Sequence, residues 1–207
     1  MQQRGLSYKK KELQSLKDEI AQCPRYQQCP QCQKLFHYRI QNHLKTVFSR
    51  KNADADIVLI GKAPGIEEAK SDEGEPFYGQ SGKLLKAIIA QSDLRNEKVY
   101  FCNVLCCHPP KNRLPYVGEV RNCRPFFNRT LEIMKPKVIC CLGEVAAKSL
   151  LGAEYTTIDD MRGDVFYDER GIPVICTHHP ATRRVKMEKR VKDMVDDFRL
   201  LMEVMNR

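Results

Sequence analysis

Four short apolar runs recur along the chain, at 56–60, 98–102, 137–141 and 173–177. Each is rich in β-branched residues and too continuously apolar to be a strand with one wet face. Between them lie stretches with helical spacing, at 12–22, 82–91, 119–134, 144–151 and 186–205. In the last, Met187, Val191, Met194, Val195, Phe198, Leu201 and Met202 fall on one stripe, as core-packing residues do. Continuously apolar strands that alternate with helices predict an α/β fold: three αβα layers around a central four-stranded parallel sheet. Ligands of such sheets bind beyond the carboxyl ends of the strands, where loops converge. The loops 61–65, 103–113, 142–144 and 178–181 are therefore expected along one edge. The segment 23–55 is polar, punctuated by cysteines and without clear period. Residues 1–55 thus read as an N-terminal helix plus a cysteine-bearing segment wrapped on a single domain spanning 1–207.

Charge changes the picture. The 207 residues carry 35 Lys and Arg against 26 Asp and Glu, a formal net charge of +9. Cations that neutralise phosphates gain affinity by releasing condensed counterions, so a polyanion is the expected partner. Solvated faces would account equally for Lys9-Lys10-Lys11 and Arg183-Arg184. No apolar run reaches the roughly 18–20 residues of a spanning helix, and the N-terminus lacks a signal-like apolar region, so the expected location is cytoplasmic.

A reducing compartment argues against disulfides among the ten cysteines. Cys102, Cys140, Cys141 and Cys176 sit inside the apolar runs and read as small core hydrophobes. Cys29-Pro-Gln-Cys32 offers two thiolates at a bite suited to one metal centre, and Cys107 and Cys123 stand sixteen positions apart. Cys23 and Cys106 compete for the same role, and the spacing leaves both zinc and an iron-sulfur cluster open.

Six stretches, in order, resemble the iron-sulfur uracil-DNA glycosylases called family 4, with family 5 as a relative. They are GKAPG at 61–65, EPFYGQSGKLL at 75–85, NVLCCHPPKNR at 103–113, Cys-Arg-Pro at 123–125, KPKVICCLG at 135–143 and HPA at 179–181. They fall where the strand pattern independently places loops. The resemblance implies a uracil-DNA glycosylase fold and an enzyme that everts a nucleotide and hydrolyses its N-glycosidic bond. It implies DNA as the partner and a 4Fe-4S cluster on Cys29, Cys32, Cys107 and Cys123; the expected state of the chain is a monomer.

By the same resemblance, Phe77 is the platform on which the base stacks. Asn103 reads the polar edge of the base through an amide that both donates and accepts. His179 stabilises negative charge on the departing base, and Ala63, Pro64, Gly65 and Tyr78 complete the base site. Lys111, Asn112, Arg113, Arg183 and Arg184 are expected on the DNA backbone.

One position departs from the family, which has a glutamate where this chain has Lys62. A lysine with an ordinary pKa near 10.4 stays cationic and opposes an oxocarbenium-like sugar. Three readings follow. A carboxylate from Glu67, Glu68, Asp72 or Glu73 substitutes; or the Lys62 amine attacks the sugar carbon itself; or the fold binds DNA without cutting. Tyr78, and a slightly long loop before it, leave open a modified base other than uracil.

Overall fold

The computed structural model describes residues 2–72, 74–95, 98–152, 157–180 and 187–207. The four apolar runs form β2 (Ile57–Gly61), β3 (Val99–Asn103), β4 (Val138–Leu142) and β6 (Pro173–Thr177), all mutually parallel. Two short strands extend this core, so the sheet among the described residues has six strands instead of the expected four. β1 (Ser49–Lys51) pairs antiparallel with β3, and β5 (Val165–Tyr167) pairs antiparallel with β6. The order is β1-β3-β2-β4-β6-β5. These edge strands escape an apolar-run criterion because each has three residues and β1 is polar and basic.

Helices cover both faces, and the pleat sorts the core accordingly. On one face Val58, Ile60, Tyr100, Ile139 and Val174 pack against α1 (Gln2–Gln22), α5 (Val117–Met134) and α6 (Glu144–Leu151). On the other, Ile57, Leu59, Phe101, Val138 and Ile175 pack against α4 (Gln80–Ile89) and α7 (Met187–Met205). The alternation also buries the four cysteines of the strands, with Cys102, Cys141 and Cys176 on the first face and Cys140 on the second.

Two helices lie where no periodic segment was expected. α2 (Pro30–Gln41) starts on proline at its first turn, where a missing N–H does no harm. Its buried side is Cys32, Leu35 and Arg39, so a thiol and a guanidinium take places usually held by aliphatic residues. α3 (Ile66–Lys70) is a single short turn of helix after β2. Among the described residues no helix is long and apolar enough to cross a membrane.

The first long helix after β2, α4, lies on one face of the sheet and α6, which follows β4, on the other, although β2 and β4 are neighbours. A crevice therefore opens beyond their carboxyl ends.

Candidate active site

A cavity of about 340 Å³ fills this crevice. The loop after β2 contributes Lys62, Ala63, Pro64 and Gly65, and β3 ends on Asn103. Asn112 and Arg113 follow from the loop after β3, and His179 from the loop after β6; Phe77 completes the wall. Asn103 and His179, 76 positions apart in the chain, thus face one space.

Close backbone approach shapes this wall. Gly61 pairs in register with Asn103; a Cβ on it would lie 2.3 Å from Asn103 Oδ1 and 2.7 Å from Phe77 Cζ. Gly82 in α4 sits beneath Phe77, where a Cβ would fall 1.6 Å from the Phe77 carbonyl oxygen. Phe77 itself adopts φ 58, a conformation that β-carbon-bearing residues rarely hold without support. The support is Glu68: the backbone N–H groups of Gly65, Phe77 and Tyr78 all donate to its carboxyl, the first at 2.9 Å. Burial raises the pKa of Glu68, and those three hydrogen bonds oppose the rise. The Phe77 ring is buried and packs tilted on Phe101, with centroids 5.7 Å apart.

Asn103 is also buried, and its Nδ2 has no hydrogen-bond partner among the described residues. An unpaired buried donor costs about 1–3 kcal/mol, so such groups are normally satisfied. Here the amide forms part of a cavity wall. Beside the cavity, His108 shares a hydrogen bond of 2.9 Å between its Nδ1 and the Pro64 carbonyl, tying the loops after β2 and β3 together. Burial lowers the His108 pKa, the Pro64 bond opposes this, and the Lys62 charge lowers it further. His178 turns away from the cavity and lies 3.3 Å from Asp193 on α7. Gly143, at φ 89, lets β4 end against His179, whose Cβ would be 3.0 Å from an added Cβ.

Three expected assignments change. Tyr78 is absent from the cavity wall, because the turn at Phe77 directs its side chain to solvent, 55 % exposed. Arg113 is not a solvated cation awaiting phosphate: Nη1 and Nη2 donate to the buried Glu119 carboxylate at 2.9 and 2.6 Å. The four carboxylates proposed as substitutes also separate. Glu67 lines the cavity, Glu68 holds the Phe77 turn, and Asp72 is fully exposed and paired with Lys45 at 2.8 Å; Glu73 lies outside the described residues. Lys111 is exposed beside the cavity mouth. Arg183 and Arg184 lie outside the described residues. Gly61 and Arg39 were not anticipated; a glycine ending one strand in register with an asparagine ending the next was the available signal for the first.

The second feature is a group of thiols. Cys29 and Cys32 open α2, Cys106 and Cys107 follow β3, and Cys123 lies on α5. Burial and a hydrogen bond with Cys29 push Cys32 up to about 12. Cys107 is raised by burial and by Cys123, with Cys23 and Cys32 adding to the effect. The Cys106 thiol donates to Cys123, which holds Cys123 low and Cys106 high. The four expected ligands thus interact as one network, joined by Cys23 and Cys106. Among the described residues no three Cys, His, Asp or Glu side chains stand at a spacing that would hold a single metal ion.

Arg39 lies against this network. It is 6 % exposed, donates Nη2 to the Ala21 carbonyl at 3.1 Å, and leaves a buried Nε without a partner among the described residues. Its charge opposes the burial that raises Cys23 and Cys107. A buried cation with an unsatisfied donor beside an all-thiol donor set suits a group of net negative charge.

Residues 48–201 match the family described as the uracil DNA glycosylase superfamily. The Type-4 uracil-DNA glycosylase of Archaeoglobus fulgidus is 41 % identical over 159 residues, covering 74 % of this chain and 78 % of that protein. Its counterpart in Sulfurisphaera tokodaii is 33 % identical over 199 residues, 93 % of this chain and 84 % of that one. The Type-5 uracil-DNA glycosylase of Pyrobaculum aerophilum is 36 % identical over 149 residues, 64 % of each.

Proposed function

Because the chain belongs to the uracil DNA glycosylase superfamily, we propose that it is a DNA glycosylase that everts uracil, or a modified base of similar hydrogen-bonding edge, and hydrolyses its N-glycosidic bond. The observation that carries this reading is the buried, unpartnered Nδ2 of Asn103 on the wall shared with Phe77 and His179. A pyrimidine stacked on Phe77 supplies what Nδ2 lacks, a ring carbonyl to accept from it, and its ring N–H can donate to Oδ1 of the same amide. His179 then faces the base where negative charge grows as the bond breaks, and stabilising that charge lowers the barrier. The attacking water needs a carboxylate, and Glu67 supplies it from the cavity wall in place of the family's glutamate at position 62. Lys62 remains a cation in the same wall and serves to hold the anionic nucleotide, without attacking it.

Cys29, Cys32, Cys107 and Cys123 would hold a 4Fe-4S cluster, and the Arg39 charge beside them favours a centre of net negative charge. When bound, it acts structurally, tying α2 to the loop after β3 and to α5. The loop after β3 also ends the cavity, so the cysteine centre steadies Asn112 and Arg113. The net charge of +9 favours a monomer docked on the DNA backbone, with Lys111, Asn112, Arg183 and Arg184 toward phosphates.

Oligonucleotides bearing single uracil, hypoxanthine or other modified bases, treated with alkali after incubation, test the reading. Strand breaks are expected at one or more of these bases with the native chain and not with Asn103→Ala. Binding without alkali-labile sites across the whole panel would overturn it.

A further inference from the structure

His179 reaches the cavity two residues after Thr177, the last residue of β6, and both Thr177 and His178 are buried. Each is held from behind. Thr177 Oγ1 donates to the Asp197 carboxylate on α7, and the Thr177 carbonyl accepts from the Gly143 N–H at 2.8 Å. The buried Asp197 takes two further bonds from Arg162, at 2.8 and 3.2 Å. The same guanidinium donates Nη2 to the Asp193 carbonyl at 2.9 Å and brings Nη1 within 3.4 Å of the Asp193 carboxylate. That carboxylate lies 3.3 Å from His178 Nε2, and Asp159 lies 3.5 Å from the same nitrogen. Ionised carboxylates only accept, so Nε2 carries the ring proton and donates it. Burial lowers the His178 pKa while Asp193 opposes the fall, so near pH 7 the ring is neutral with this one N–H.

This clamp is not needed to dock α7, because Met194, Phe198 and Leu201 already bury against the sheet. A buried ion pair is often no more stabilising than apolar side chains of the same size, since both charges lose their hydration. What hydrogen bonds add to packing is direction. Here that direction falls on the backbone leading into His179, and Pro180 restricts the backbone of His179 from the other side. We propose that Arg162, Asp193 and Asp197 are positioning residues for His179, acting through Thr177 and His178. The inference rests on the glycosylase reading for what His179 does once aimed, and adds to it the device that aims it. A displacement of about 1 Å in a reacting group can cost about 10²-fold in rate, so a clamp one and two residues away has ample leverage.

The test removes the two anchors separately, as Thr177→Val and as Asp193→Ala, and both variants keep the apolar docking of α7. The first readout needs no catalysis: imidazole nitrogen spectra of the native chain and of each variant, with His179 assigned by its loss in His179→Ala. The His179 ring signals are expected to shift in both variants, while those of His37 and His43, outside the clamp, stay in place. Thr177→Ser keeps the hydroxyl and is expected to return His179 to its native signals. In the second readout, single-turnover excision is expected to fall about tenfold in each variant with substrate affinity unchanged. Neither substitution is expected to lower the rate further when added to His179→Ala, because a positioning residue has no effect once its target is gone. His179 signals that stay in place in one variant remove that anchor, and in both they overturn the proposal whatever excision does. Losses that add to that of His179→Ala also overturn it, and mark the clamp as ordinary scaffolding of the sheet. No excision by the native chain, with the ring signals shifted in the variants, overturns the glycosylase reading alone.

Discussion

The cavity and the cysteine group each leave one buried polar atom without a partner among the described residues, yet they are built in opposite ways. In the cavity, Asn103 ends a central strand and is fixed by register with Gly61, while Phe77 is fixed by Glu68 and Gly82. The walls therefore stand whether or not a ligand is present, as a site for a transient guest requires. The cysteine centre draws its thiols from segments separated by up to 94 positions, between Cys29 and Cys123, and its core is the small cluster of Leu35, Leu105, Cys107 and Cys123. These segments touch through that cluster and through two hydrogen bonds between Arg25 and Asn122, at 3.1 and 2.8 Å, and the proposed iron-sulfur cluster would tie them further. One region is completed by packing alone, and the other would be completed by ligation.

The largest expected effects set these two regions apart. Asn103→Ala removes the amide proposed to read the base and is expected to lower kcat by about 10²- to 10³-fold, the loss typical of a key electrostatic donor. Iron and acid-labile sulfide should be unchanged, and the thermal midpoint should not fall, because the variant also removes an unpaired buried donor. Cys107→Ala is expected to do the reverse in the preparation itself: iron and sulfide fall well below four per chain, and the thermal midpoint drops. Zinc without sulfide in the native protein would refute the cluster, and a Cys107 variant with full iron would refute that ligand.

An intermediate effect probes how closely the cavity is packed. In most helices Gly→Ala is favourable by about 1 kcal/mol. At Gly82 the added Cβ meets a backbone carbonyl 1.6 Å away, and overpacking of that kind costs about 1–3 kcal/mol or more. The clash wins, so Gly82→Ala is expected to lower the thermal midpoint by several degrees, and base excision falls further as Phe77 shifts. Gly65→Ala is the control for stability, because nothing lies within 4 Å of its added Cβ and its φ is −73. Equal stability of the two variants would show that the turn beneath Phe77 yields to an added Cβ.

The same contrast explains what was legible from residues alone. The four parallel strands announced themselves because strands buried on both faces are continuously apolar, and the parallel sheet in turn placed four loops at one edge. Asn103, Phe77 and His179 were recognisable through a family resemblance, and their convergence follows from that sheet. The local geometry was not legible. Nothing in Glu75-Pro-Phe-Tyr-Gly79 announces a left-handed Phe77, and the turn it makes is what removes Tyr78 from the wall. Arg113 looked like a phosphate contact because its partner, Glu119, sits six residues on in a helix whose first turn is polar. α2 was missed because Cys32 and Arg39 bury its inner face, and a pattern search weighs neither as apolar.

The smallest effect concerns the joint between the cavity loops. His108 is buried as a neutral ring, its pKa lowered first by burial and also by the Lys62 charge. In the unfolded chain the same imidazole titrates near 6.5. Protons therefore bind the unfolded state first as pH falls, so the stability His108 contributes is present above about pH 6.5 and is lost as pH drops through its lower folded value. His108→Asn is expected to flatten the fall of thermal midpoint between pH 7 and 5, by a few degrees at most. The fall will not vanish, because burial lowers His178 in the same sense. Glu68 and Asp197, both raised by burial, act in the opposite sense at lower pH and are common to both proteins, so the difference between the two curves isolates His108. Identical slopes would mean that the bond to Pro64 holds the loops equally well with a charged ring, and that the cavity takes its rigidity from the strand ends alone.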